Sequence, residues 1–550
     1  MKEIEQAIHW CKNCKTPIIT KEKKVGCPLC GTATKRMCAD MRPVFPEERL
    51  LIEVLLKKPL AFIEQTMWAS PTGRYYVDGE SLLVPQELYH YQNAQWVRED
   101  LEKYRGQNNG TVFEKSIERF ILANKKHLAE IQSEAIDFIQ MSKEKFPDSN
   151  IAVGFSGGKD STVVADLAIE ALGIHGATFM FTDTTLETRE TYEYVERFQQ
   201  EHPQAKFLIA RNDEQDFFEV CKDIGPPSRN GRWCCTMFKT GPMAQKMAQA
   251  FGKKAVLNFL GIRASESDKR KHYIRLNDSV TANKIQQQIP AYPIFHWQEV
   301  DVWLYILSKQ LDFCKGYRSG HSRVGCWLCP NSAKKTVFLH QVQIPEKAYA
   351  WREQLIAFAN QIGKEGAENY IDSLAWSMRY GSSGLPSSED TIVETLGCTT
   401  EENANIYKLK KPFRPSFHSL FTPFGDVVFG QGRSLLNETL VLDKTTGNPI
   451  LSIQLFSNKN FAHSVKVKIL AESGEKALQR KIVYQVRKFN ACRNCRLCNS
   501  TCVFDAIQIK DGEYSIDPQK CTRCKKCVNP KFIETGCYMH RILKPRKAAS

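Results

Sequence analysis

Through the middle of the chain, short apolar runs alternate with stretches in which apolar residues recur at helical spacing. The run Ile151–Phe155 predicts a buried strand, and apolar positions at helical spacing follow it over 163–167. A second run, Ala177–Thr185, precedes a helical stretch over 187–200, and a third run lies at 255–260. Because strands that alternate with helices form parallel sheets, the pattern predicts an α/β fold with a doubly wound sheet.

The flanking regions have patterns of their own. Apolar residues at helical spacing cover 112–146, and strand-like alternation in runs such as Val465–Leu470 predicts a small β-rich domain without catalytic signal. The stretch 381–388, Gly-Ser-Ser-Gly-Leu-Pro-Ser-Ser, is typical of a linker. A chain of 550 residues is long enough for three or four domains, each with its own core.

The loop between the first predicted strand and its helix has the composition of an anion site. Its two glycines let the backbone approach a ligand, and N–H groups of the first helical turn point at that ligand. A lysine adds positive charge and two serines add hydroxyl donors. The loop is not a Walker A sequence, which needs four residues between its glycines before Gly-Lys. An ordinary strand–helix turn with a solvated lysine is the alternative. The loop residues are Ser156, Gly157, Gly158, Lys159, Asp160 and Ser161.

Polar residues after the second and third predicted strands are expected near this loop. In doubly wound sheets, ligands bind beyond the carboxyl ends of the strands, where Thr182 and Asp183 would lie. Asp183 is therefore a candidate nucleotide or metal contact, with a helix cap as the alternative. After the third run, Arg263 and Arg270 could bind sulfate or phosphate bidentately, and Glu266 lies between them.

Sixteen of the twenty cysteines lie in clusters with the spacing of metal ligands, so disulfides are not expected. Near the N-terminus, two Cys-x2-Cys pairs have the spacing of a zinc ribbon, because two thiol pairs on two turns give tetrahedral four-sulfur ligation. Four protein ligands leave no open position for substrate, which predicts a structural or docking role. A redox pair or an iron site is the alternative. The four residues are Cys11, Cys14, Cys27 and Cys30.

Two further cysteine pairs lie within the α/β region. Adjacent Cys234 and Cys235 rarely form a disulfide with each other, because the small ring strains the backbone. Together with Cys326 and Cys329 they make a plausible four-cysteine site for a [4Fe–4S] cluster. Zinc or a redox disulfide is the alternative at this central quartet.

The C-terminal cysteines have the spacing of a bacterial ferredoxin with two [4Fe–4S] clusters, in which the fourth cysteine of one run binds the other cluster. Val503 stands where proline is usual, and the gap before the last cysteine is longer than usual. Two zinc sites are the alternative. The first predicted set is Cys492, Cys495, Cys498 and Cys537. The second predicted set is Cys502, Cys521, Cys524 and Cys527.

Metal content changes the meaning of the charge. The formal net charge of +15 falls to roughly +7 with one zinc and three clusters, so it is weak evidence for nucleic-acid binding. No run of eighteen apolar residues and no signal peptide is found, which predicts a cytoplasmic protein without a membrane segment.

The predicted order is a zinc ribbon, a mixed helical region, a nucleotide domain, a linker, a small β-rich domain and a ferredoxin-like α+β domain. Their predicted bounds are 1–40, 41–145, 146–380, 381–390, 391–485 and 486–550.

Residues 150–332 resemble the phosphoadenosine phosphosulfate (PAPS) reductase family of the PP-loop ATP pyrophosphatases. The resemblance rests on the SGGKDS loop, the Thr-Asp-Thr strand end, the RWCC segment at 232–235, the GIRASES segment at 261–267 and the GCWLCP segment at 325–330. It implies a Rossmann-like, adenine nucleotide alpha hydrolase-like core with a nucleotide over the loop. The central quartet is similar to that of [4Fe–4S]-binding adenylylsulfate reductases. The implied nucleotide contacts are Ser156, Gly157, Gly158, Lys159, Asp160, Ser161, Thr182, Asp183, Arg263, Glu266 and Arg270.

Two departures favour ATP-using relatives over sulfonucleotide reductases. Those reductases have a degenerate loop and a C-terminal Glu-Cys-Gly-Leu-His segment, whereas here the loop is intact and no such segment occurs. The similar ATP users are the small subunit of ATP sulfurylase and the Fe–S sulfur-transfer proteins of DNA phosphorothioation. They imply binding of ATP with Mg²⁺, cleavage to AMP and pyrophosphate, and catalytic roles for Lys159, Asp160 and Asp183.

The expected protein is thus an iron–sulfur enzyme that supports reductive sulfur transfer with electrons from a donor. Its acceptor is open among DNA, tRNA, a partner protein and a small metabolite. One alternative is a sulfonucleotide reductase supplied by its own ferredoxin-like clusters. The other is a non-catalytic electron-transfer subunit with a nucleotide-binding domain.

Overall fold

The computed structural model divides the chain into two compact units. The first comprises Met1–Arg211 and Ala250–Arg352, and the second comprises Asn212–Gln249 and Glu353–Ser550. The predicted linker at 381–390 lies outside the described residues. The structure describes residues 6–147, 149–229, 231–252, 254–277, 285, 287–361, 364–377, 393–458, 461–471, 475–492, 495–510, 513–528 and 537.

The strands and helices of the described residues are numbered in chain order. The strands are β1 (Ala7–Cys11), β2 (Thr16–Thr20), β3 (Lys35–Cys38), β4 (Arg42–Pro43), β5 (Met67–Ala69), β6 (Tyr75–Val77), β7 (Glu80–Leu82), β8 (Asn150–Gly154), β9 (Thr178–Asp183), β10 (Lys206–Arg211), β11 (Val256–Leu260), β12 (Gln288–Ala291), β13 (Thr395–Gly397), β14 (Ala404–Lys408), β15 (Asp426–Phe429), β16 (Thr439–Leu442), β17 (Pro449–Asn458), β18 (Phe461–Ile469), β19 (Ile507–Lys510) and β20 (Glu513–Ile516). The helices are α1 (Pro46–Leu55), α2 (Ala94–Tyr104), α3 (Thr111–Ala123), α4 (Lys125–Lys145), α5 (Lys159–Leu172), α6 (Arg189–Glu201), α7 (Phe217–Ile224), α8 (Trp233–Cys235), α9 (Gly241–Phe251), α10 (Asp268–Lys271), α11 (Glu299–Ser308), α12 (Lys334–Gln343), α13 (Pro345–Gln361), α14 (Ala367–Asp372), α15 (Ser416–Ser419) and α16 (Glu475–Ala491).

A parallel five-stranded sheet forms the centre of the first unit and confirms the predicted α/β fold. Its strand order is β10-β9-β8-β11-β12, and all neighbouring strands are parallel. Val163, Val164 and Leu167 on α5 are fully buried against it, as their helical spacing predicted. Burial of each such side chain contributes about 1.5–3 kcal/mol. The strand order changes direction between β8 and β11, so the carboxyl ends of these two strands form the topological switch point of the sheet. Open α/β sheets bind ligands at such points.

The N-terminal part of the first unit contains two small antiparallel sheets. One has the order β2-β1-β3 and the other β4-β5-β6-β7. The helical stretch predicted over 112–146 is confirmed as α3 and α4, which are interrupted at Asn124. The buried side chain of Asn124 accepts a hydrogen bond from Ile19 N (2.7 Å) and donates one to Pro17 O (3.0 Å). The break between the two helices therefore attaches them to β2.

Helix α11 connects the small sheet of β1 to the parallel sheet. Its residues Val300 and Leu304 share one apolar cluster with Ile8 and Trp10 of β1. Asp40, just after β3, accepts hydrogen bonds from the first two backbone amides of α11, Glu299 N (2.9 Å) and Val300 N (3.0 Å). These bonds satisfy two donors that a helix N-terminus otherwise leaves without partners.

One buried cluster of the second unit extends from residue 407 to residue 528. An antiparallel sheet with the order β13-β14-β18-β17-β16-β15 confirms the β-rich region, and β19 and β20 form a separate hairpin. Val465 of β18, Ile482 of α16 and Ile507 of β19 belong to the same buried cluster. The predicted small β-rich and ferredoxin-like regions thus pack on each other. Among the described residues, no helix is long and apolar enough to cross a membrane.

Segment 212–249 belongs to the second unit. The short helix α8 runs into a π-helix, Thr236–Thr240, and then into α9. A Cβ at Gly241, the first residue of α9, would lie 2.6 Å from the carbonyl oxygen of Ser500. Gln245 also donates a hydrogen bond to Cys502 O at 3.3 Å. The absence of a side chain at Gly241 therefore permits close contact between this segment and the C-terminal cysteine region.

Candidate functional site

The SGGKDS loop closes on itself at the carboxyl end of β8. Gly157 has a φ of +71°, in the left-handed region, and extended Gly158 precedes the first residue of α5. Ser161 Oγ accepts a hydrogen bond from Ser156 N (3.1 Å) and donates one to Gly158 O (2.8 Å). The loop therefore holds the N-terminus of a fourteen-residue helix at the switch point of the sheet. Such a helix terminus stabilises anions such as phosphate.

Lys159 is enclosed by acidic groups rather than solvated. Its side chain is 5% exposed, and Nζ lies 3.2 Å from Asp160 Oδ2 and 3.7 Å from Glu299 Oε1. Burial disfavours the charged ammonium and would lower the pKa of Lys159. The nearby carboxylates of Asp160 and Glu299 have the larger effect, so the pKa of Lys159 is raised. The backbone N–H of Lys159 donates to Tyr317 Oη at 3.1 Å. Lys159 is thus a fixed cation whose charge is already compensated within the protein.

Asp160 joins the loop after β8 to the segment after β11. Its Oδ1 accepts a hydrogen bond from Arg263 Nε at 2.6 Å, and the Arg263 residue is 4% exposed. Burial alone would raise the pKa of Asp160, but Lys159 and Arg263 lower it well below its usual range. Close packing makes this possible, because a Cβ at Gly261 would lie 2.6 Å from the carbonyl carbon of Asp160. The two segments that flank the switch point are therefore held by a buried ion pair.

Glu266 and Arg270 extend this arrangement toward solvent. Glu266 accepts a hydrogen bond from the backbone N–H of Arg263 at 2.9 Å, so it fixes the conformation of that residue. Arg270 forms an ion pair with Glu266, and its side chain is 23% exposed. Each of the two arginines predicted to bind an anion forms an ion pair within the protein: Arg263 with Asp160, and Arg270 with Glu266.

Asp183 is the last residue of β9, next to β8 in the sheet. Its carboxylate accepts hydrogen bonds from Thr185 N (2.8 Å) and Tyr192 Oη (2.7 Å), and it forms an ion pair with Arg211 at 3.3 Å. Thr182, one residue earlier, is partly buried. Asp183 thus orders the turn after β9 at the edge of the sheet where the loop lies.

Sequence reasoning missed Glu299 and Tyr317, which are buried contacts of Lys159. Glu299 is the first residue of α11, and the pattern Gln298-x-x-Asp301 is a capping box that could have located this helix start. No local signal relates that helix to a lysine 140 positions earlier, because the contact depends on how the helices pack.

The cysteines of the central quartet belong to different units. Cys326 lies in the first unit, where its Sγ is 3.2 Å from Thr184 Oγ1, beside the end of β9. Cys329 is in the same segment, and Trp327 N anchors this segment by donating to Leu186 O at 2.9 Å. Cys234 and Cys235 lie in the second unit. The joint site of all four stays a prediction.

The N-terminal quartet is assembled as four metal ligands. The sulfur atoms of Cys11, Cys14, Cys27 and Cys30 all lie within 4.8 Å of one another. Cys11 Sγ is 3.6 Å from Cys30 Sγ, and Cys27 Sγ is 3.8 Å from Cys14 Sγ. Tetrahedral zinc with Zn–S bonds of about 2.3 Å places its sulfurs about 3.8 Å apart. These residues therefore fit a four-coordinate metal ion.

The grouping of the C-terminal cysteines into two four-cysteine sets stays a prediction. Burial, followed by repulsion from Cys498, Cys537 and Cys492, raises the pKa of Cys495. Burial likewise raises the pKa of Cys521, and Cys502 and Cys524 add to the increase. Cys498 lies in a buried cluster against which Cys492, Cys502, Cys521 and Cys527 pack. Metal binding would remove this repulsion, because bound thiolates share the positive charge of the metal.

Comparisons with known proteins agree with the sheet and the loop. The family model described as phosphoadenosine phosphosulfate reductase domain matches residues 150–332. An uncharacterized protein of Methanocaldococcus jannaschii is 32% identical over 281 residues, which are 51% of this chain and 56% of that protein. The adenosine 5'-phosphosulfate reductase of Geobacillus is 26% identical over 203 residues, 36% of this chain and 80% of that enzyme.

The matches cover parts of the chain. It spans 56% and 57% of the length of two matching proteins from Methanocaldococcus jannaschii. A crystal structure of phosphoadenylyl-sulfate reductase from Candida auris aligns at 17% identity with a TM-score of 0.28, over 37% of this chain and 95% of that chain. The family model matches the region that holds the parallel sheet and the Ser156–Ser161 loop.

Proposed function

We propose that the region of residues 150–332, which matches the family model described as phosphoadenosine phosphosulfate reductase domain, binds ATP and cleaves it to AMP and pyrophosphate. The observation that carries the proposal is the position of the Ser156–Ser161 loop. It begins α5 at the switch point of the parallel sheet, and the Asp160–Arg263 ion pair holds the segment after β11 against it. The intact loop, with both glycines and both serines, favours an ATP phosphate chain as the ligand.

In the proposed reaction an acceptor oxygen attacks the α-phosphorus of ATP. A bond forms between that oxygen and the phosphorus, the bond to the bridging oxygen breaks, and pyrophosphate leaves with the electron pair. The product is an adenylated acceptor, from which AMP would leave with the electron pair of the broken bond when a sulfur nucleophile displaces it. Lys159 and the helix N-terminus would stabilise charge on the leaving group, while Asp160 holds Lys159 and Arg263 in position. Mg²⁺ would neutralise phosphate oxygens, and Asp183 is the candidate carboxylate near it.

The second part of the proposal is an electron supply for reductive sulfur transfer. Three [4Fe–4S] clusters and one zinc would occupy the four cysteine sets, and a low-potential one-electron donor would reduce the clusters. Contacts within the second unit support such a path, because Gly241 approaches Ser500 and Gln245 donates to Cys502 O. The Cys234–Cys235 segment thus packs against the C-terminal cysteine region. Reduced thiols and clusters of this kind suit a cytoplasmic location.

A sulfonucleotide reductase is the second candidate, and the names of relatives favour it. Six matching proteins are called adenosine 5'-phosphosulfate reductase. Such an enzyme would reduce a sulfated nucleotide with electrons from the C-terminal cysteine sets. DNA, tRNA, a partner protein and a small metabolite remain the proposed classes of acceptor under the first candidate.

Nucleotide binding and pyrophosphate release distinguish the candidates. Calorimetry with anaerobically purified full-length protein should show ATP binding in the presence of Mg²⁺ and weaker binding of adenylyl sulfate and PAPS. A pyrophosphate assay with nucleic acid that co-purifies should then detect turnover of ATP. Tight binding of a sulfonucleotide without measurable ATP binding would reject the first candidate and support the second.

Metal analysis tests the electron supply independently of nucleotide binding. The proposal requires about twelve iron atoms and one zinc per chain, from three four-cysteine clusters and one ribbon. About eight irons with two zincs would assign zinc to the central quartet. The relay toward Cys234 and Cys235 would then have no acceptor cluster.

A further inference from the structure

A buried lysine lies beside cysteines of both predicted C-terminal sets. Lys488, in the last turn of α16, is 1% exposed. Its Nζ donates hydrogen bonds to Gln485 Oε1 (3.0 Å) and to the backbone carbonyl of Cys527. No carboxylate among the described residues forms an ion pair with it. A buried ammonium without an anionic partner is costly, so its surroundings are expected to supply negative charge in another form.

A buried tyrosine hydroxyl lies beside this lysine. Tyr514 of β20 is 6% exposed, and its ring centroid is 5.3 Å from Lys488 Nζ. Within the part of the chain that the structure describes, its hydroxyl has no hydrogen-bond partner. An unpaired buried hydroxyl costs about 1–3 kcal/mol, and such orphaned groups often mark a missing ion or ligand.

Lys488 contacts one cysteine of each set, because its backbone carbonyl accepts a hydrogen bond from Cys492 N at 3.0 Å and its ammonium donates one to Cys527 O. Tyr514 and Cys498 belong to one buried cluster, against which Cys492 and Cys527 pack. Cys498 belongs to the first predicted set and Cys527 to the second. Lys488 opposes the effect of burial at both of these thiols. Lys488 and Tyr514 therefore lie in the packed region that contains cysteines of both predicted sets.

We propose that Lys488 and Tyr514 raise the reduction potential of the two C-terminal iron–sulfur clusters. The inference rests on the proposed iron–sulfur content of the chain. A four-thiolate [4Fe–4S] cluster carries about −2 when oxidised and gains one negative charge when it accepts an electron. The buried ammonium stabilises that added charge, and the orphaned hydroxyl gains an acceptor in a cluster or thiolate sulfur. Both effects favour the reduced form.

The test is an EPR-monitored redox titration of the anaerobically purified full chain. Dithionite donates one electron to each cluster, and no bond is made or broken. Lys488→Met should make reduction about tenfold less favourable at a given solution potential, which is about 59 mV for one electron. Tyr514→Phe should shift it in the same direction by a smaller factor. Lys488→Arg keeps the charge and should restore the wild-type potential to within twofold.

A matched control is Lys520→Met in the same region. Lys520 is 47% exposed and pairs with Asp505, so solvent screens its charge and its loss should leave the potentials unchanged. If Lys488→Met loses iron, Lys488→Gln is titrated instead, because its amide can still donate to Cys527 O. Unchanged potentials in the Lys488 variant and in Tyr514→Phe, with iron retained, would overturn the inference. Wild-type protein without a [4Fe–4S] signal would instead reject the proposed electron supply on which this inference rests.

Discussion

Lys159→Met tests whether this lysine supports the fold, the nucleotide or both. The substitution keeps the length of the side chain but removes the ammonium that neutralises two buried carboxylates. Asp160 retains Arg263 as a partner at 2.6 Å, whereas Glu299 has no other ion-pair partner among the described residues. The variant therefore leaves one carboxylate buried without compensation. Adding Glu299→Gln removes that charge as well, and the two single variants and the double variant form a thermodynamic cycle.

The geometry sets the expected size of each effect. Unit charges about 4 Å apart interact by about 4 kcal/mol at the effective dielectric constant of partly buried sites. Removing one partner of a buried pair typically costs about 3–5 kcal/mol. Since Asp160 keeps its arginine, Lys159→Met should cost about 3 kcal/mol, and Glu299→Gln in the same chain should restore about 2 kcal/mol. Loss of a charged contact to phosphate should weaken ATP binding by about 1.5–3 kcal/mol.

Thermal unfolding and ATP calorimetry separate the two roles. About 3 kcal/mol should lower the unfolding transition by about 6–12 °C, and the double variant should regain most of that shift without regaining ATP affinity. The control is Lys309→Met, whose exposed pair with Glu170 contributes at most about 1 kcal/mol. Recovery of ATP affinity in the double variant would show that Lys159 does not contact phosphate. An unchanged unfolding temperature in Lys159→Met would refute the buried ion-pair network.

Three further predictions concern the loop, the helix anchor and the ribbon. Gly261→Ala should reduce ATP affinity at least about tenfold, because the added Cβ would lie 2.6 Å from the Asp160 backbone and displace it. Calorimetry at a matched folded fraction measures the affinity, and a wild-type value would contradict the prediction. Burial raises the pKa of Asp40 from 3.8 to about 7, so its protonated form is favoured in the folded state and stability falls as pH rises from about 4 to 7. The free energy of unfolding should fall by up to about 4 kcal/mol in total over this pH range. Denaturant unfolding at several pH values should show a smaller fall in Asp40→Asn. A chelator, or the substitution Cys27→Ser, should release about one zinc per chain and lower the unfolding temperature of the first unit. An unchanged unfolding temperature without zinc would contradict the structural role of the ribbon.

Local patterns predicted the elements that depend on neighbouring residues. The strand, loop and helix from Ile151 to Leu167 could be identified because glycine conformation and apolar periodicity act over a few positions. The long helical region before it was predicted as a whole, but its interruption at Asn124 was not. That break depends on hydrogen bonds to Ile19 and Pro17, more than a hundred positions away.

The sequence by itself determined which residues can carry charge, hold metal or turn the backbone, because these are properties of residue types at short spacing. The Cys-x2-Cys pairs near the N-terminus and the cysteine spacing of the C-terminal runs are such local features. Only the tertiary structure decided what surrounds them. It enclosed Lys159 between two carboxylates and placed Lys488 in contact with Cys492 and Cys527. Those environments arise from packing between distant segments, which burial and shape complementarity govern and which short-range sequence patterns do not encode.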